Sequence, residues 1–168
     1  MTTLKVQELT TKAFAPYGSV IGLPQRREDA TGSGWRWWAE TVLLPSDGRP
    51  FGVGYLDLEP AAPRFDWAER HLRSLESVVP ISGACLLYVA PPEHPEEPDR
   101  LPDLDRFEVF RIRPGSGVVM DPAVWHGAPL ADGGPARAIV LLLEGTGATD
   151  VTLVRFEDTP IEIDPQED

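Results

Sequence analysis

No apolar run in this chain lasts long. Stretches such as YGSVIGL, AETVLLP, FGVGYLDL, SVVPISGACLLYVA, FEVFRIRPG, SGVVMDP, ARAIVLLLEG and DVTLVRFE are each cut short by proline, glycine or a polar residue. Eighteen prolines punctuate the sequence, and a proline inside a helix removes a hydrogen bond and clashes with the preceding turn. The runs are too short for core helices, and FEVFRI and VTLVRF alternate apolar with polar, the period of a half-buried strand. Many short strands at fairly regular spacing predict an all-β sandwich or small barrel. Helix is expected only as one or two short turns, chiefly at TTKAFAPYG, where Thr10 or Thr11 can cap the first turn.

Length sets one domain over residues 1–168, since 168 residues can bury a core of their own. Three segments read as connections: 22–34, polar and glycine-rich; 91–106, proline-rich and acidic; and an acidic tail from about 157, whose IEI can add an edge strand. A formal net charge of -12 argues against nucleic acid, which is held by basic patches, and against an anionic membrane surface. It leaves room for a small anionic substrate held locally by arginine or a metal. No apolar run reaches membrane-spanning length, and the first residues show no basic segment followed by an apolar core, so a cytoplasmic location is expected. The single cysteine, Cys85, lies within ACLLYVA and is expected to be a buried, inert thiol.

The chemistry-bearing residues concentrate in DWAERHLRSLE, Asp66 to Glu76. As an amphipathic helix the segment would bury Trp67, Leu72, Leu75 and Val79 and pair Glu69 with Arg73 four residues on. Pro60, Pro63 and Pro80 bracket it and favour extended backbone instead. As a strand it would put Glu69, His71 and Arg73 on one face, and a turn near RSL would bring Glu76 back beside them. About fifty residues later, GSGVVMDPAVWHGAPL carries Trp125 and His126. Taken together, carboxylate-x-His-x4-Glu followed by Pro-x3-His resembles the two-part ligand pattern of the cupin barrel, a double-stranded β-helix or jelly roll, with Glu69 where the usual metal cupin has histidine. His71, Glu76 and His126, with Glu69 as a fourth donor, suit a divalent ion such as nickel, manganese, iron or zinc. His94, in PPEHPEEP, reads as a surface residue.

At these residues the chain resembles the ureidoglycolate lyase family. TTKAFAPYGSVI, ERH at 69–71, VVP at 78–80, VAPP at 89–92 and VWH at 124–126 carry the resemblance, in order and over most of the chain. It implies a cupin-like barrel of two antiparallel sheets, commonly a homodimer, and cleavage of a carbon–nitrogen bond of ureidoglycolate, a small carboxylic acid, to glyoxylate and urea. In that reaction Glu69 or His126 would move the proton, Arg73 would pair with a carboxylate, and Trp125 would wall the pocket. Trp35, Trp37 and Trp38 would join that wall or form a barrel exterior or dimer contact. The chain departs from the family at Glu76, where glutamine is common; at Val119 and Met120, which replace a polar Asn-Tyr pair; and at Tyr55, a substrate-side position where arginine is frequent. Arg36 or Arg64 is the candidate replacement cation. These departures keep two alternatives in view: a metal-dependent cupin lyase, isomerase or hydrolase acting on another hydroxy or keto acid, and a non-catalytic cupin that binds a small acid.

Overall fold

The computed structural model describes residues 2–97 and 100–166. In chain order its elements are β1 (Thr3–Glu8), α1 (Thr11–Phe14), β2 (Gly18–Ile21), β3 (Ala30–Gly32), β4 (Trp35–Trp37), β5 (Phe51–Leu58), β6 (Arg64–Phe65) and β7 (Trp67–Arg70). The second half continues with β8 (Glu76–Ser82), β9 (Cys85–Ala90), a 3-10 turn at Leu104–Arg106, β10 (Glu108–Ile112), β11 (Gly117–Met120) and β12 (Trp125–His126). It closes with β13 (Leu130–Ala131), β14 (Ala136–Leu143), α2 (Thr146–Thr149), β15 (Thr152–Arg155) and β16 (Ile161–Asp164). A nine-stranded sheet in the order β15-β7-β12-β9-β10-β1-β16-β6, with β13 also on β9, is apposed to a five-stranded sheet β2-β11-β8-β14-β5, while β3 and β4 form a separate hairpin. The curled sheets form a half-barrel, the all-β architecture expected from the short runs and the cupin-like form that the resemblance implies. Thr10 caps α1 through a bond from the Ala13 amide to its Oγ1, 3.1 Å long, as the capping pattern predicts.

Two cores explain why some runs are continuous and others alternate. Every residue of β9 is buried. Leu86, Tyr88 and Ala90 face one core with Phe65, Phe107, Trp125 and Ile161. Cys85, Leu87 and Val89 face the other, between the sheets, with Phe110, Val118 and Val140. A strand covered on both faces has no side to leave polar. Burial pushes the Cys85 thiol up to about 12, with the Asp132 charge adding to the effect, so almost no thiolate exists at neutral pH. Cys85 should therefore resist a thiol-specific disulfide reagent in the folded protein and react fully once the chain is unfolded in urea; rapid labelling of native protein would contradict this placement.

Three expectations are corrected. AETVLLP, residues 39–45, forms no strand, and Leu43 is 70% exposed; it lies in a connection that crosses no sheet. Residues 22–34 are not all loop, since β3 pairs there with β4. The IEI of the tail is not an edge strand: β16 lies between β1 and β6, with Ile161 and Ile163 buried, because a period-two apolar pair gains most where both neighbours cover it. The final two residues of the tail lie outside the described residues.

Candidate metal centre

DWAERHLRSLE is strand, turn, strand. β7 ends at Arg70, residues 72–75 turn, and β8 begins at Glu76. The Asp150 carboxylate makes this turn by accepting the amides of Leu72, Arg73 and Ser74 at 3.0, 2.9 and 3.1 Å, while its backbone carbonyl takes the Nδ1–H of His71 at 2.8 Å. His126 is brought in by β12, whose register pairs it with Glu69 on β7 and Val89 on β9. The two segments are also tied directly, because the Ala123 amide donates to the His71 carbonyl at 2.6 Å. Ala123 has φ of 70°, a left-handed conformation costing about 1–2 kcal/mol for a residue with a Cβ. Neighbouring contacts hold the chain in that conformation immediately before Val124, Trp125 and His126.

Glu76 Oε2 lies 3.1 Å from His71 Nε2 and 3.2 Å from His126 Nε2. Both rings have their other nitrogen engaged by a carbonyl, His71 by Asp150 and His126 by Val124 at 2.9 Å. A carbonyl can only accept, so Nδ1 carries hydrogen in each ring and a neutral imidazole presents its Nε2 lone pair toward Glu76. Two lone pairs facing a carboxylate repel it unless a proton or a cation lies between them. Burial would raise Glu76, yet the imidazoles of His126 and His71 bring it down to about 2. Burial likewise opposes charge on His126, and the Glu76 carboxylate reverses that, raising the imidazole above its ordinary value.

The same arrangement fits a metal. Two donors about 2.1 Å from one ion at octahedral or tetrahedral angles lie about 3.0–3.4 Å apart, the spacing Glu76 keeps to both rings. Ligand atoms of Glu69, His71 and His126 also fall within 4.8 Å of one another, so Glu69 is in place as a fourth donor or as a base. His71 is 4% and His126 2% exposed, whereas Glu69 is half-buried.

Inward-facing residues of β8 lie in register rows across the smaller sheet. One row runs Gly18, Met120, Glu76, Leu142, Gly52. Met120 therefore flanks the carboxylate, while Val119, one residue earlier, points to the outer face beside Ser77; of the two apolar replacements only Met120 borders the centre.

The remaining candidates disperse. Arg73 follows the end of β7 and bonds the Thr149 carbonyl at 2.8 Å, with its Nε 3.6 Å from Asp150 and the side chain 59% exposed. It does not share a strand face with Glu69 and His71, because Asp150 ends the extended run at the turn. Trp125 faces the opposite side of β12 from His126, in the other core. Tyr55 lies on the outward face of β5, out of phase with Leu56 and Leu58, which pack on the inter-sheet core. Arg64 is exposed on β6 beside Glu162. Arg36 stacks 5.2 Å over Trp38 on the separate hairpin, where Trp35 and Trp37 are exposed. His94 lies partly exposed among Glu96 and Glu97.

Sequence reasoning missed Arg70 and Asp150. Arg70 sits inside the quoted ERH, yet a buried arginine carries no local signature. Its guanidinium lies 4.3 Å over the Trp125 ring and donates to the carbonyls of Glu93, His94 and Glu97 at 2.8, 3.1 and 2.9 Å. Asp150 acts from nearly eighty residues away.

The family model described as Ureidoglycolate lyase matches residues 1–164. A ureidoglycolate lyase of Rhodobacter capsulatus is 31% identical over 153 residues, covering 88% of this chain and 91% of that protein. One of Schizosaccharomyces pombe is 26% identical over 184 residues, covering 94% and 93%. Among solved structures, a sugar 3,4-ketoisomerase from Thermoanaerobacterium thermosaccharolyticum superposes with a TM-score of 0.50 at 14% identity, covering 79% of this chain and 84% of its own; that likeness concerns the fold.

Proposed function

The chain belongs to the ureidoglycolate lyase family, and from that premise we propose that it is a lyase cleaving the carbon–nitrogen bond of ureidoglycolate to give glyoxylate and urea. The observation that carries the reading is the convergence of Glu76 on two imidazoles whose Nε2 lone pairs point at it, with Glu69 alongside. His71, His126 and Glu76 would hold a divalent metal ion of the nickel, manganese, iron or zinc class. Such an ion supplies a Lewis acid that makes a substrate hydroxyl more acidic.

The chain's own groups do the rest. Asp150 and Val124 carbonyls orient the imidazoles, fixing the tautomer. Glu69 is the base, since both nitrogens of His126 are committed while the Glu69 carboxylate is half-buried beside both rings. It takes the hydroxyl proton as the O–H electrons form the new C=O and the C–N pair leaves with nitrogen. It then returns the proton to that nitrogen, releasing urea, so one carboxylate serves as base and acid and is regenerated. Met120 and Leu142, beside Glu76, keep the centre dry and strengthen its electrostatics. Arg73, in the turn between His71 and Glu76 and paired with Asp150, is proposed as the partner of the substrate carboxylate, by exchange from Asp150.

A homodimer belongs to the same reading, supported by exposed Val53 and Tyr55 on the outward face of β5. No helix among the described residues is long and apolar enough to cross a membrane, and we place the enzyme in the cytoplasm. The test is turnover of ureidoglycolate by purified protein, following glyoxylate and urea together, with metal content measured on the same sample. Equimolar products from metal-bearing protein are expected; metal-bearing protein that leaves ureidoglycolate intact would reject the substrate.

A further inference from the structure

The inner face of β5 carries no side chains at Gly52 and Gly54. Leu56 and Leu58 pack inward, so by the two-residue period Gly52 and Gly54 face inward too. Gly52 ends the row that contains Glu76, and Gly54 ends the next row, after Val78 and Val140. Neither glycine has the left-handed backbone that would demand one, and a Cβ at either would meet only atoms of its β14 neighbours Leu142 and Val140, at 3.6–3.8 Å. Nothing from the larger sheet comes within 4 Å. The pairing of β5 with β14 runs without a bulge from Phe51 to Leu58, and both glycines are exposed. Glycine weakens a strand, and where neither bulge nor bend explains it, it commonly marks the close approach of a ligand or another backbone.

We propose that the Gly52–Gly54 strip seats the end of the substrate remote from the metal ligands, the planar ureido group, and so sets the size limit of the site. The assignment rests on the ureidoglycolate reading above. Adjacent strands lie about 4.8 Å apart, which puts Gly52 about 10 Å from Glu76 along the row. A small acid held at its carboxylate end near Glu76 projects its other end over Leu142 toward that glycine. A flat amide fits against bare backbone, and a branched side chain there would take its space.

The experiment uses full-length, metal-loaded Gly52→Val, with Gly54→Val as the second variant; valine suits a strand, and the space for its Cβ is present. Two ligands are titrated by calorimetry: glyoxylate, which has only the carboxylate end, and oxalurate, which keeps the ureido group with a carbonyl in place of the carbinol. Oxalurate affinity is expected to fall about tenfold or more, with a matching rise in KM for ureidoglycolate. Glyoxylate affinity, metal content and solution mass should match wild type. Unchanged oxalurate binding in both variants, equal weakening of both ligands, or an altered solution mass overturns the assignment, the last by making the strip a contact for another chain. Wild-type protein that fails to bind oxalurate or to cleave ureidoglycolate instead removes the substrate reading itself, before any variant is compared.

Discussion

Replacing Glu76 by glutamine is expected to strip the metal from the protein and to lower turnover of ureidoglycolate about 1,000-fold, equivalent to ~4 kcal/mol of transition-state stabilisation. The carboxylate lies within hydrogen-bond distance of both imidazoles, at 3.1 and 3.2 Å. An amide of the same shape removes the charge that offsets the cation and directs an N–H₂ or a weaker acceptor at the same point. Elemental analysis of wild type, Glu76→Gln and His126→Ala side by side is the measurement. Metal close to one per chain in wild type and nearly none in either variant is expected. Full occupancy in Glu76→Gln would show that Glu69, not Glu76, completes the ligand set.

The metal-free protein should carry a matching pH signature. The Glu76 value is depressed from 4.5 to about 2, so its contribution to stability is fully present above 4.5 and is lost as pH falls toward 2. The His126 value is raised, so its contribution is present below the ordinary 6.5 and is lost as pH rises through the folded value. Wild-type apoprotein should thus lose stability on both sides of the mildly acidic range, and Glu76→Gln should flatten both slopes.

Arg70→Ala is expected to destabilise the fold by about 3 kcal/mol or more, because hydrogen bonds from a charged donor contribute about 1.5–3 kcal/mol each and three carbonyls plus the Trp125 face are lost together. Arg70 is fully buried, and burial lowers its pKa while the Glu96 charge opposes that shift; among the described residues its hydrogen bonds go to carbonyl dipoles and its plane lies over an indole face. Arg70→Lys should not restore stability, since a compact ammonium cannot span carbonyls of Glu93, His94 and Glu97 while stacking on a ring. A urea midpoint that falls sharply in both variants, with new proteolytic cleavage in residues 91–97, is the expected result. A shift below about 1 kcal/mol in Arg70→Ala would mean that the loop and Trp125 are held by the apolar core alone.

Several residues show why the centre was partly legible in the sequence. His71, Glu76 and His126 could be named because a strand, a short turn and a returning strand impose their own spacing, and because only three histidines compete for the role. Arg73 pairs with a protein carboxylate, Asp150, as expected, but not on one strand face with Glu69 and His71, since the point where β7 stops depends on Asp150, a partner nearly eighty residues away. Trp125 sits next to His126 in sequence and on the opposite side of the strand, as alternation requires; its neighbour's role says nothing of its own. Tyr55 points outward, while the two inward positions that precede it, Gly52 and Gly54, carry no side chain.

By itself the sequence determined what depends on local physics: an all-β chain, because proline and glycine interrupt every run before a core helix can form, and a buried thiol within a run apolar at every position. The tertiary structure alone decided which donors meet. Contacts such as Glu76 with His126, fifty residues apart, and Asp150 with the 72–74 turn depend on sheet register, and a slip of one residue would turn each of these side chains to the opposite face.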